Sequence, residues 1–125
     1  MNRMSPSLED YLEMIYFLRT QNESVRTTDV ANAIGVSKPS VNQAIKSLKE
    51  KGLADQERYG GVTLTDKGTE IAKRVLGRHN LIKQFLVDVL GVDESTAEQE
   101  ACAMEHCIGE STIQKLRNYL SKVLG

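Results

Sequence analysis

The sequence predicts a mainly α fold: a winged helix-turn-helix over residues 1–74, then an all-helical segment over residues 75–125. Three observations carry the fold class. Apolar residues recur three and four apart along most of the chain, as helices with one buried face require. Two short helical patterns meet at Gly35-Val36-Ser37, the spacing of a helix-turn-helix. Beyond them, two strand-like runs flank Gly60-Gly61, a pair that tolerates the positive φ of a tight hairpin turn. With 125 residues, 40% of them hydrophobic, the chain can bury a modest core as one domain or as two very small ones sharing a core.

The first helix is predicted from Leu8, Tyr11, Leu12, Ile15 and Leu18, with Ser5-Pro6-Ser7 as its N-terminal stop. After the polar QNESVR, Thr27 or Thr28 can cap a short helix closed by Gly35. The next helix, KPSVNQAIKSLKEKG, has Ser37 as N-cap, Pro39 in its first turn, Val41, Ile45 and Leu48 turned inward, and Gly52 at its end. LADQERYGGVTLTDKG follows as the wing. A long helix starts at Asp66 or Thr65 and runs to Gly91, and two more span roughly residues 94–108 and 110–123.

The formal net charge of −1 looks unsuited to a DNA partner until it is divided along the chain. Lys38, Lys46, Lys49, Lys51, Arg58, Lys67, Lys73 and Arg74 outnumber the acids between residues 36 and 74, whereas Asp88 to Glu110 is acidic without a single Lys or Arg. Partners of opposite sign are expected for the two halves. The two cysteines, Cys102 and Cys107, are separated by about 140° on one helix. A disulfide between them is not expected, and Cys107 falls outside the Cys102 face as a packed thiol. The chain has no apolar run long enough to cross a bilayer, and MNRMSPSLEDYLEM lacks the pattern of a signal peptide, so a cytoplasmic protein is expected.

A recognition helix presents short polar side chains near its N-terminus to base edges and cations along its flank to phosphates. Ser37, Lys38, Pro39, Ser40, Asn42 and Gln43 occupy the first turns of the predicted reader, where an amide can pair with adenine and Pro39 can touch a thymine methyl. Lys46 and Lys49 lie further along, and Arg58 and Tyr59 stand before the hairpin tip. Helix-turn-helix patterns also occur in structural bundles. The hairpin directly after the reader makes double-stranded DNA the expected partner.

Cys102, Glu105 and His106 sit three and four residues apart, so one helix would project all three donors from one face. Asp10 and Glu13 are again three apart, off the apolar stripe of the first helix, and His79 stands alone in the long helix. Divalent first-row metals need several convergent donors of this kind. Each piece also has an ordinary structural explanation: a buried small thiol, a hydrogen-bonded imidazole, a solvated carboxylate.

The order SLEDYLEMIYFL, winged helix-turn-helix, KRVLGRHNLIKQFLVDVLGVD and EQEACAMEHCIGE resembles the diphtheria-toxin-repressor and manganese-transport-regulator family of metal-dependent bacterial repressors. The likeness covers nearly the whole chain and rests on Glu-Asp-Tyr-Leu, Leu-Thr-Asp-Lys-Gly, Arg-His, Gly-Val-Asp and Glu-His as landmarks. It implies a DNA-binding domain over residues 1–74 and an all-helical metal-binding and dimerisation domain over residues 75–125, in a homodimer that binds palindromic operators of metal-homeostasis genes when loaded with Fe(II) or Mn(II). It also implies a metal site of Asp10, Glu13, His79, Cys102, Glu105 and His106. Asp10 and Glu13 match the manganese-sensing branch and Cys102 the iron-sensing branch; the softer thiolate favours Fe(II). Where the iron branch has ancillary ligands this chain has Lys83 and Glu98, expected to form an ion pair instead. No SH3-like third domain is expected.

One ion held by the first, long and penultimate helices would then link the DNA-reading and dimerisation halves and shift the protein towards its DNA-binding form. Two other classes stand beside this reading: a metal-independent winged-helix protein-interaction module, and a small metalloenzyme. Against the enzyme, the sequence has no Gly-rich phosphate loop or nucleophile elbow, and no small-molecule substrate is expected.

Overall fold

A computed structural model describes residues 7–58 and 61–124, so Ser5, Pro6, Tyr59 and Gly60 lie outside the described residues. The chain divides after Arg74 into two compact units. In the first, α1 (Leu8–Gln21) begins at Ser7, whose hydroxyl accepts from the Asp10 N–H while Asp10 Oδ2 accepts from the Ser7 N–H at 2.8 Å. This reciprocal pair satisfies two donors at the helix start and fixes the Asp10 side chain. Tyr11, Leu12 and Ile15 are buried as their spacing requires, while Leu8 and Leu18 pack at the margin of the same core.

Neither threonine caps α2 (Thr27–Ile34). The N-cap is Arg26, whose N–H donates to Asp29 Oδ2 at 2.8 Å, and Thr27 is already helical. The Asp29 carboxylate, at the third helical position, thus satisfies the N–H of the N-cap residue, the second half of a capping box, with no N-cap hydroxyl in place. Gly35 ends α2 in the left-handed conformation, and α3 (Lys38–Glu50) starts on Ser37, whose Oγ accepts from the Ser40 N–H at 3.3 Å. Val41, Ile45 and Leu48 are buried with Ala44.

The wing is two short antiparallel strands, β1 (Ala54–Gln56) and β2 (Val62–Leu64), with Ala54 opposite Leu64. Of the Gly60-Gly61 pair, Gly60 lies outside the described residues and Gly61 does not take positive φ; a Cβ at Gly61 would collide with Val25 O and Ser24 Oγ. Its missing side chain lets the strand approach the α1–α2 loop, where the Val62 N–H donates to Val25 O at 2.6 Å. Thr65 caps α4 (Asp66–Gln84): its Oγ1 accepts from the Gly68 N–H at 3.1 Å and donates to Gly52 O at 2.8 Å.

In the second unit, α4 does not run unbroken to Gly91. It passes into a π-helical stretch, Phe85–Val89, where the Leu90 N–H reaches Phe85 O, and Gly91 (φ 75°) ends it. The last helices are α5 (Glu94–Met104), capped by Asp93, and α6 (Glu110–Leu124). Ala97 and Ala101 allow α5 to pack closely in a core with Ile82, Leu86 and Ile113. The expectation that α5 reaches residue 108 is corrected: it ends at Met104, and the Cys107 N–H closes a turn on Met104 O. Arg78 stabilises this exit, since its Nη2 donates to Ile108 O.

A candidate metal centre and DNA-reading face

The early end of α5 revises the three-donor face. Cys102 remains helical, Glu105 is the C-cap residue, and His106 stands in the following turn. Glu105 and His79 are the two buried polar residues among those described. His79 Nδ1 lies 2.9 Å from Glu105 Oε2, and His79 Nε2 lies 2.8 Å from Glu98 Oε2. Glu98 Oε2 is also 3.3 Å from Lys83 Nζ, which reaches Glu94 Oε1 at 3.5 Å. The expected Lys83–Glu98 ion pair is therefore present, with His79 as a third member.

Two carboxylates around one imidazole favour its charged form. The Glu105 hydrogen bond, opposed by burial and helped by Glu98, raises the His79 pKa to about 9. Burial works to raise Glu98, but hydrogen bonds from His79 and Lys83 outweigh it and hold that carboxyl below its ordinary value. Lys83 is raised, chiefly by its hydrogen bond to Glu98.

The remaining oxygen of Glu105 shows what this unit could hold. Glu105 Oε1 is buried and makes no hydrogen bond, though His106 Nε2 is only 3.3 Å away. A buried carboxylate oxygen that makes no hydrogen bond and stands beside an imidazole nitrogen suits a cation, since an unsatisfied buried acceptor is costly. Oxygen and nitrogen donors of this set suit Fe(II) or Mn(II).

The other sequence-predicted donors are placed as follows. Asp10 and Glu13 are half-buried on α1 in the first unit, and Cys102 is exposed on α5. Cys107 is exposed rather than packed, its Sγ 3.7 Å from Ala103 O, because the helix has ended before it. Sequence reasoning missed Glu98 as a partner of His79. Its position seven residues before Glu105 was a usable signal, since that spacing returns to the same helix face.

In the first unit, Ser37, Lys38, Pro39, Ser40, Asn42 and Gln43 are exposed at or near the start of α3, and Lys46 is exposed about one turn further along. Ser37 and Ser40 also share a hydroxyl contact of 2.9 Å, so their side chains help cap the helix. Arg58 is exposed just beyond β1. A polar helix start and a cation beside a hairpin form a surface suited to a DNA groove.

A winged helix-turn-helix in a chain that also builds a buried imidazole–carboxylate cluster defines a class: DNA-binding regulators that answer to a cation. The relatives agree. Residues 3–62 match the iron dependent repressor N-terminal DNA binding domain, and residues 65–123 match the iron dependent repressor metal binding and dimerisation domain. The chain belongs to this family of iron-dependent repressors, which are transcriptional regulators and not enzymes.

It is 42% identical over 120 residues to an uncharacterised HTH-type transcriptional regulator of Methanocaldococcus jannaschii, covering 95% of this chain and 96% of that one. It is 36% identical over 112 residues to the transcriptional regulator MntR of Bacillus subtilis, covering 90% of this chain and 78% of MntR. Among solved structures it resembles a manganese-dependent transcriptional repressor in complex with manganese, with a TM-score of 0.85 and 33% identity. That match covers 92% of this chain but 53% of the other, so the chain spans about half the length of that relative. Divalent metal binding is a property of the family. No described helix is long and apolar enough to cross a membrane.

Proposed function

We propose that this protein is a metal-dependent repressor of metal-homeostasis genes, acting in the cytoplasm as a homodimer on a palindromic operator. The observation that carries the reading is the buried Glu105 carboxylate beside His79 and His106, with one oxygen lacking a hydrogen bond. The proposed ligands are Asp10, Glu13, His79, Cys102, Glu105 and His106, drawn from α1, α4, α5 and the turn after α5. A bound divalent ion supplies positive charge to this acidic set. His79 and His106 contribute neutral nitrogen donors, and Asp10 is already held in one rotamer by its capping bond to Ser7.

The proposed reader is α3, with Asn42 and Gln43 facing bases, Lys38 and Lys46 facing phosphates, and Arg58 reaching from the wing. Exposed Leu90, Met104, Tyr119, Val123 and Leu124 in the second unit support a covered apolar surface, as a dimer would provide. Fe(II) is the proposed ion, because the Cys102 thiolate is a softer donor than the carboxylates around it. Mn(II) is the second reading, favoured by the likeness to MntR and to the manganese-bound repressor.

A DNA shift assay with Fe(II) or Mn(II), against chelator, tests the reading. Metal should tighten operator binding by roughly 5–150-fold. Asp10→Ala and His106→Ala should lose that gain yet retain weak metal-free binding. Equal affinity of the wild-type protein with and without chelator would reject the proposal.

A further inference from the structure

His79 offers two ring nitrogens to a metal, and distance alone does not choose between them. Each stands against a carboxylate oxygen, Nδ1 at 2.9 Å from Glu105 and Nε2 at 2.8 Å from Glu98. The charge around each carboxylate does choose. On the Nδ1 side, the Glu105 side chain has no solvent exposure, its Oε1 lacks a hydrogen bond, and His106 Nε2 lies 3.3 Å from that oxygen. On the Nε2 side, the Glu98 side chain is 53% exposed, and its Oε2 is already 3.3 Å from the Lys83 ammonium, which Glu94 also holds. A divalent ion at Nε2 would share one carboxylate oxygen with a fixed cation.

We propose that His79 ligates the metal through Nδ1, and that Lys83, acting through Glu98, bars the ion from Nε2 and fixes the ring. Glu98 and Lys83 are positioning residues. The Nε2–H donates to Glu98 while Nδ1 faces the ion, and the carboxylate strengthens the imidazole as a donor and sets its plane. Lys83 holds that carboxylate in place and repels a second cation. The inference rests on the metal reading above and goes beyond it by naming the ligating atom and the residues that select it.

The test uses the full chain loaded with Zn(II), a diamagnetic probe, and nitrogen NMR of the labelled histidines. His79 should show a metal-bound Nδ1 and a protonated Nε2. Lys83→Met and Glu98→Gln should each weaken Zn(II) binding, measured by chelator competition, by about 10–100-fold. Lys83→Arg, which keeps the charge, should restore most of it. A metal-bound Nε2 in the wild-type protein overturns the inference without any variant having to fold, and leaves the metal reading intact. Wild-type Zn(II) affinity in both folded variants overturns it equally. Wild-type protein that takes up neither Zn(II) nor Mn(II) overturns the metal reading, and the inference with it.

Discussion

His79 Nδ1 and Glu105 Oε2 are 2.9 Å apart, and both residues are buried. With Glu98 on the other ring nitrogen, both nitrogens face carboxylates, so the metal-free ring is an imidazolium that donates twice. An ion that takes Nδ1 must therefore displace a proton.

Metal affinity should rise with pH. His79 is held charged up to about 9, first by Glu105 and then by Glu98. Below that value each ion bound releases the His79 proton, and the logarithm of affinity gains about one unit per pH unit from this group. Above it the contribution flattens. Calorimetry in buffers of different ionisation heat counts the protons, and uptake with no proton release near pH 7 would contradict the imidazolium assignment.

The metal-free protein should show the opposite trend in stability. The folded His79 pKa lies above its unfolded value of 6.5, so the folded state binds the proton more tightly. The resulting stabilisation is fully present below pH 6.5 and is lost as pH rises through about 9. Its size is on the order of 3 kcal/mol, because the group is buried and little screened. Denaturant unfolding at pH 6 and pH 9 with chelator present should reveal this loss, and His79→Gln should remove it.

The DNA-reading half was readable from sequence because local signals agree there. Ser37 caps α3, Val41, Ile45 and Leu48 face inward, and Gly35 and Gly52 take positive φ at helix ends. The metal half was less readable. Nothing in AEQEACAMEHCIGE tells where α5 stops; that is decided by partners on α4, as His79 meets Glu105 and Arg78 meets the Ile108 carbonyl. Gly61 shows the same limit in reverse. Its presence in a hairpin was legible, but its reason, the backbone of Val25 behind it, is a tertiary contact.

Two substitutions on α3 should separate base reading from phosphate contact. Gln43 and Lys46 are both exposed, and neither joins the core of the first unit. Gln43→Ala should cost about 1–3 kcal/mol on the best operator and relax preference at one position. Lys46→Ala should weaken all sequences alike and reduce the slope of log affinity against log salt by about 0.9. Salt titrations on specific and random duplexes distinguish these outcomes, and an unchanged slope for Lys46→Ala would remove that residue from the interface.

Gly68→Ala should be far more damaging than an exchange in the first turn of a helix ordinarily is. Alanine is the better helix former by about 1 kcal/mol, so local propensity alone predicts stabilisation. The first turn of α4, however, lies directly on the Leu53 backbone, where a Cβ at Gly68 would collide with the Leu53 carbonyl. That carbonyl also accepts from the Thr65 N–H at 3.1 Å, so it cannot withdraw without breaking the closure of the wing. Overpacking of this kind costs about 1–3 kcal/mol or more, which exceeds the propensity gain. The variant should melt at lower temperature than wild type. Unchanged or higher stability would mean that α4 can shift off Leu53, and that the start of this helix does not fix the wing.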